Sequence, residues 1–476
     1  MDTDSAKPHV AILASPGMGH IIPLFEFAHH LVTEHNIQVT FLVITTESTH
    51  AQNNYLKSSN SHPDLHVVDL PPADMSGLIT DDMDIVTRIS VLVEESVGPL
   101  RTVLSTLNVL KALIIDIFCT SMFDVCKDLS IPVYSFFTAS TVLFMFSLYL
   151  PVLDQEVEGE FVDLPGPVNV PGCNPIRTQD LLGQVRNRKV NEYKWYLLHV
   201  RRLSMARGIF LNTWDDLEPV SLKALKHEPF FLNNSTPPVY PIGPLTKQIE
   251  PVVTEYDNRI IAWLDKQPKD SVLFVALGSG GTLTSEQFTE LAWGLELSQQ
   301  RFILSVRKPN DYSSSSFFST GSESDDPKAY LPNGFVERTN GVGLIAASWA
   351  PQVAVLSHPS TGAFYCGWNL TVESLKHGVP IIGWPMYAEQ RMNATMLSNE
   401  EGVAIKMPAV GDRGETLLVG REEIERVVRM VMEGEEGKRI RSRAKELEVS
   451  GRAALCCGGP SYETLARVTE SWKHHG

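Results

Sequence analysis

Short apolar runs alternate with amphipathic stretches along the whole chain. Residues 9–14 (HVAILA) lead through a glycine-containing turn to the helical pattern of residues 22–32 (IPLFEFAHHLV); residues 38–44 (QVTFLVI) and 65–70 (LHVVDL) follow. Residues 112–116 (ALIID), a helical stretch at 122–129 and the run 133–137 (VYSFF) continue the alternation, and 208–213 (GIFLNT) reads as the last strand of this half. Continuous apolar runs separated by helices indicate parallel strands joined by crossovers, a doubly wound α/β sheet.

The alternation lapses at residues 237–258, where prolines cluster and periodicity vanishes, and this segment reads as an interdomain connection. It restarts with SVLFVAL, a Gly-Ser-Gly-Gly turn and a helix whose start is marked by the capping box Thr284–Gln287. FILSV, GLIAA, TGAFY and VPIIGW supply further strands, residues 311–326 read as a polar surface loop, and a last helix begins at Pro460. The expected organisation is a first Rossmann-like domain over 1–246, a linker at 247–258, a second over 259–459 and a closing helix over 460–476.

A length of 476 residues with 43% hydrophobic and 20% charged content suits two α/β domains with ordinary cores. The net charge of −16 argues against a nucleic-acid or anionic-membrane partner. Six cysteines show no C-x-x-C spacing, so no zinc site or disulfide framework is indicated, and a reducing compartment is expected. The uncharged run Leu129–Leu153 is long enough to span a membrane, but Pro132 and Pro151 bracket it and it divides into a buried strand and a helix. A cytoplasmic monomer without membrane insertion is expected.

Two polar residues fall at carboxyl edges of the first sheet, where such folds bind ligands. His20 follows ASPGMG, a turn too irregular for a dinucleotide fingerprint, and Asp116 ends ALIID. A histidine there reads as a loop or capping residue or as a general base; an aspartate reads as a helix N-cap or as its orienting acid. Asp82-Met83-Asp84 spells the D-x-D of metal-diphosphate sites, but its polar surroundings indicate a solvated loop, and no metal is expected.

The segment Trp349–Gln390 (WAPQVAVLSHPSTGAFYCGWNLTVESLKHGVPIIGWPMYAEQ) carries the richest chemistry. Trp349 offers a flat face for a base, Gln352 an amide for its edge and Glu373 a carboxylate for a ribose diol. The turn at Gly367 starts a helix whose N–H groups can hold a diphosphate. Glu389 and Gln390 suit adjacent sugar hydroxyls. Ser279, in the Gly-Ser-Gly-Gly turn, can add a hydroxyl to the diphosphate.

This segment resembles the signature box of plant family-one UDP-glycosyltransferases, and the resemblance extends through nearly all of the chain, nearest to the hydroquinone and phenol glucosyltransferases of the arbutin-synthase type. It implies a GT-B fold, UDP-glucose as donor, no cofactor, and His20 and Asp116 as base and orienting acid. It adds Ala350, Trp368, Asn369 and Tyr387 to the donor contacts. It also places a sugar contact near Thr138 and Ser140, where ordinary packing reads equally well. Phe118 and Phe146 are candidate walls for an aromatic acceptor, or plain core aromatics. An inverting transfer of glucose to a small phenol is the activity implied, with a non-catalytic UDP-sugar- or phenol-binding relative as the alternative.

The box departs from the family's F-L-T-H-C-G-W-N-S-T, since this chain reads Phe364-Tyr365-Cys366-Gly367-Trp368-Asn369-Leu370-Thr371. Two residues and the histidine are missing, and leucine replaces the serine, so two phosphate donors implied by the resemblance are lost. The deletion shortens the strand by about 6.6 Å, requiring either a retracted loop or a register shift.

Overall fold

The computed structural model describes residues 7–474 apart from 60–61, 81, 108, 235, 248–253, 279–282, 310–325, 348–349, 366–367 and 412–414. The first sheet comprises β1 (His9–Leu13), β2 (Gln38–Val43), β3 (Leu65–Asp69), β4 (Ala112–Asp116), β5 (Val133–Phe137), β6 (Ile209–Leu211) and β7 (Val239–Pro241), ordered β3-β2-β1-β4-β5-β6-β7. The second comprises β8 (Val272–Val275), β9 (Arg301–Val306), β10 (Gly343–Ala347), β11 (Thr361–Tyr365), β12 (Ile381–Gly383) and β13 (Ala404–Lys406), ordered β10-β9-β8-β11-β12-β13. Every ladder is parallel.

Both sheets are apolar on both faces because helices cover both, and alternation along a strand sends neighbours to opposite cores. In β1, Val10 and Ile12 join the core beneath the first helix (Met18–Glu34), while Ala11 and Leu13 face the opposite layer. In β8, Leu273 and Val275 divide from Val272 and Phe274 in the same manner. The uncharged run 129–153 becomes β5 and the first part of the helix Thr141–Glu156, and no described helix is long and apolar enough to cross a membrane.

The proline-rich segment holds more structure than its composition predicts. β7 lies inside it, pairing Leu211 with Pro241 at the sheet edge, where a missing N–H is tolerated. The helix Glu255–Leu264 also starts within the expected linker, fixed by a capping box between Thr254 and Asp257. By contrast only half of the expected box at Thr284 forms. Its side chain accepts from Gln287 N, whereas the Gln287 amide turns to Val419, donating to its carbonyl at 2.9 Å and accepting from its N–H at 2.8 Å. The last helix (Pro460–His474) returns to the first domain and buries Leu465, Val468 and Trp472 in its core. At about 1.5–3 kcal/mol per buried large side chain, this contact is strong enough to hold the helix there.

Candidate active site

In each sheet the strand order reverses once, between β1 and β4 in the first and between β8 and β11 in the second. Ligands of open α/β sheets bind beyond the carboxyl ends at such points. The register of β1 on β4 sets Leu13 beside Ile115, so the chain leaving β1 runs past Asp116. Gly17 then takes φ 113°, a conformation that favours glycine, and the first helix begins with His20 in its opening turn.

His20 Nδ1 lies 2.8 Å from Asp116 Oδ2 and 3.3 Å from Thr138 Oγ1. Both readings of Asp116 hold together, one per oxygen: Oδ2 meets His20, while Oδ1 accepts from Phe118 N at 3.0 Å, capping a short 3₁₀ turn, and from Ser15 Oγ at 2.8 Å. Asp116 has no solvent exposure, and burial alone would raise its pKa. The facing imidazole and the three hydrogen bonds outweigh burial and hold it below the usual carboxylate range. Burial likewise pulls His20 down, but Asp116, and behind it Glu389, raise it above the ordinary imidazole value. With Nδ1–H donating to Asp116, Nε2 carries the free lone pair.

Phe118 stands edge-on to His20, with ring centres 5.3 Å apart, and lines the cleft. Behind it, His199 is clamped between Ser90 Oγ at 2.9 Å and Thr120 Oγ1 at 2.7 Å. Burial pushes its pKa down to about 3, so it is a neutral packing group that backs the Phe118 wall.

At the second switch point, β11 ends at Tyr365 and the next helix starts at Trp368. The ladder of β11 on β8 slips between Thr361 and Ala363, at the strand's entry end. Glu373 is buried and accepts a hydrogen bond from Gln352 Nε2. The residues expected to read base and ribose thus interlock, and both line the cleft. Asn369 Nδ2 donates to Gly19 O at 2.7 Å, joining this helix to the loop that carries His20. Leu370 reaches towards the turn after β8; a Cβ added at Gly278 would lie 3.2 Å from its Cδ1. Ser279, Trp349 and Gly367 lie outside the described residues.

Between the domains lies a cleft with about 490 Å³ of free space, lined from one side by His20 and Phe118 and from the other by Ala350, Gln352, Trp368, Asn369 and Glu373, together with Tyr387, Glu389 and Gln390. Burial raises the Glu389 carboxyl, with His20 and Asn393 opposing, and pushes the Tyr387 phenol up to about 12. Gln390 uses its carbonyl to accept from Met386 N at 2.9 Å, and its side chain also hydrogen-bonds the Tyr387 hydroxyl.

Two expected residues fall elsewhere. Phe146 has no exposure and packs in the core of the first domain, because the helix 141–156 turns that face inward. Ser140, also fully buried, caps that helix and donates to Asn393 Oδ1 of the other domain at 2.9 Å; its neighbour Thr138 is the one that lines the cleft.

Other charged groups lie in or near the cleft. Glu26 on the first helix accepts from Tyr55 OH at 2.7 Å, and Lys376 donates to Thr246 Oγ1 at 2.9 Å. Burial lowers the Lys376 pKa against the opposing pull of Glu26 and Glu373. Glu192, in the helix Asn191–Arg202, lines the cleft with Ile85, Val86 and Ile89, and burial pushes its carboxyl up to about 7. Glu26 and Lys376 are 350 positions apart, so periodicity carries no trace of their electrostatic influence on one another. A glutamate on the apolar face of the first helix was the one available signal. Asp84 of the D-x-D accepts from Thr87 N at 2.7 Å and caps the helix Ile85–Glu95.

Two parallel-sheet domains facing one cleft, with an acid–base couple at one switch point and a buried amide–carboxylate pair at the other, define a nucleotide-sugar-dependent transferase of GT-B architecture. Comparison with known proteins agrees. Residues 245–436 match the family described as UDP-glucoronosyl and UDP-glucosyl transferase. Hydroquinone glucosyltransferase of Rauvolfia serpentina is 42% identical over 473 residues, 98% of each chain. UDP-glycosyltransferase 72B1 of Arabidopsis thaliana is 44% identical over 482 residues, 99% of this chain and 98% of that one. The structure of Phytolacca americana UGT2, complexed with UDP-2fluoro-glucose and pterostilbene, aligns with a TM-score of 0.86 at 40% identity, covering 98% of this chain and 99% of the other. The chain belongs to the plant family-one UDP-glycosyltransferases, and it is a UDP-glycosyltransferase.

Proposed function

We propose that this enzyme transfers glucose from UDP-glucose to a hydroxyl of a small phenol with inversion at the anomeric carbon. The observation that carries the reading is the His20–Asp116 couple, with His20 opening on the cleft beside the aromatic edge of Phe118. His20 Nε2 takes the acceptor proton as the phenolic oxygen bonds to the anomeric carbon. The bond from that carbon to the diphosphate oxygen breaks, and UDP leaves with the electron pair. Attack from the face opposite UDP turns an α-linked donor into a β-glucoside. Asp116 holds the imidazole in the competent tautomer and stabilises the imidazolium that forms.

On the donor side, Gln352 and Glu373 serve the base and ribose, and Glu389 with Gln390 the glucose hydroxyls. Helix N–H groups and neutral side chains carry the departing diphosphate. No metal enters this scheme, and Asp84 of the D-x-D is already committed as a helix cap. The phenol class is supported by the apolar wall of Ile85, Val86, Ile89 and Phe118, and by the likeness to the hydroquinone glucosyltransferase. We place the reaction in the cytosol, in keeping with free thiols at all five described cysteines.

The test is incubation with UDP-glucose and hydroquinone, with the product anomer assigned by proton NMR. A β-glucoside is expected, and an α-product would overturn inversion. UDP binding by calorimetry without turnover of any phenol would favour a binding protein, the reading that Leu370 at the phosphate turn supports.

A further inference from the structure

The residue expected to touch the sugar, Ser140, instead begins a hydrogen-bonded chain across the domain interface. Its Oγ accepts from Leu143 N at 3.3 Å and spends its single proton on Asn393 Oδ1 at 2.9 Å. A primary amide so held presents its N–H₂ on the other side, and Asn393 Nδ2 donates to Glu389 Oε1 at 3.3 Å. Ser140 and Asn393 are 0% and 3% exposed, so water does not compete for either. Asn393 N also donates to Glu389 O at 3.1 Å, placing both residues on one turn at the start of the helix Gln390–Asn399. The chain of donors runs one way, from the first domain into the cleft.

We propose that Ser140 and Asn393 are positioning residues that hold the Glu389 carboxylate for the donor sugar, so that the grip on glucose depends on the two domains being in register. The proposal rests on Glu389 being a sugar ligand. Reversing the amide would turn Asn393 Oδ1 towards a carboxylate oxygen, and the hydroxyl proton of Ser140 opposes that reversal. Because the chain ends at the sugar and leaves base, ribose and diphosphate contacts alone, it bears on UDP-glucose and not on UDP. The same end point lies beside His20, whose pKa the Glu389 charge raises.

The experiment compares KM for UDP-glucose with the calorimetric Kd for UDP in Ser140→Ala, Ser140→Thr, Asn393→Ala and Glu389→Gln. One neutral hydrogen bond corresponds to about a fivefold effect. Ser140→Ala is therefore expected to raise KM about fivefold, and Asn393→Ala, which removes a bond to a carboxylate, about tenfold or more, both with the Kd for UDP unchanged, and Ser140→Thr, which keeps the hydroxyl, to restore it. Asn393→Ala leaves the Ser140 cap intact and keeps the test alive should Ser140→Ala not fold. Parallel loss of UDP affinity, or no rise in KM for Asn393→Ala while Glu389→Gln raises it, overturns the chain alone. An unchanged KM in Glu389→Gln overturns the sugar role of Glu389, and the proposal with it.

Discussion

The two switch points of this molecule are built alike and finished differently. At the β1/β4 point the couple is held on all sides but one: Asp116 takes three hydrogen bonds, and His20 Nδ1 is held by Asp116 with Thr138 beside it, leaving Nε2 towards the cleft. At the β8/β11 point the same strand–turn–helix geometry carries a leucine where the family has a donor. Leu370 is set against the turn at Gly278, and Asn369 spends an amide N–H on Gly19 O. In the proposed reaction, proton removal from the acceptor is then fully equipped, whereas stabilisation of the leaving diphosphate relies on what remains of a shortened box. Within one active site, the half that activates the nucleophile and the half that receives the leaving group need not be equally complete.

The largest effect should come from breaking the complete half. His20→Ala is expected to lower kcat by ~10²–10⁴-fold with the calorimetric Kd for UDP unchanged, since acid–base assistance has that range. A loss below tenfold would mean that proton transfer is not limiting and that the incomplete half governs the rate.

Completing the other half should act in the opposite direction. Replacing Tyr365 by Leu-Thr-His, together with Leu370→Ser, restores two expected donors to the charge that develops on UDP. A preorganised donor of this kind is worth ~10²–10³ in rate, so a rise in kcat of at least tenfold is expected, measured by UDP release with hydroquinone. If restoration brings no gain, the diphosphate is already held by other groups and the asymmetry drawn above is one of sequence only.

A smaller effect links the halves. As the proposed base His20 must be neutral, and its pKa is raised above the ordinary imidazole value, so kcat/KM should fall as pH drops through that raised value. Glu389→Gln removes one charge that favours the imidazolium. The acid limb of the pH profile should then move to lower pH, and a limb that stays in place would show that the donor side does not reach the base electrostatically.

Much of this arrangement was legible in the sequence because it depends on local pattern. Apolar runs locate nearly all strands, and the position of His20 after β1 and of Asp116 at the end of β4 marks one switch point. What escaped depends on distant partners or on context that overrides composition. β7 was hidden by prolines that an edge strand tolerates. Phe146 and Ser140 sit one helical face and one strand end away from the cleft, and spacing alone does not say which way a face turns. Asn393 and Lys376 each also meet a residue of the first half of the chain, Ser140 and Thr246, and no local pattern announces those contacts.

The finest test concerns how tightly Leu370 closes its turn. Gly278 has φ 76°, which disfavours any side chain, and its added Cβ would meet Leu370 Cδ1 at 3.2 Å. Gly278→Ala should therefore cost about 1 kcal/mol from the backbone alone, with a further fraction of a kcal/mol if the leucine cannot yield. In a Leu370→Ser background the backbone cost persists while the contact disappears. The difference between the two backgrounds, read from urea midpoints at constant m, isolates the contact. A clear difference marks a turn closed by a rigid methyl, where a phosphate must displace the side chain to enter. Equal costs mean that Leu370 swings aside freely, and the second switch point is then short of donors but not obstructed.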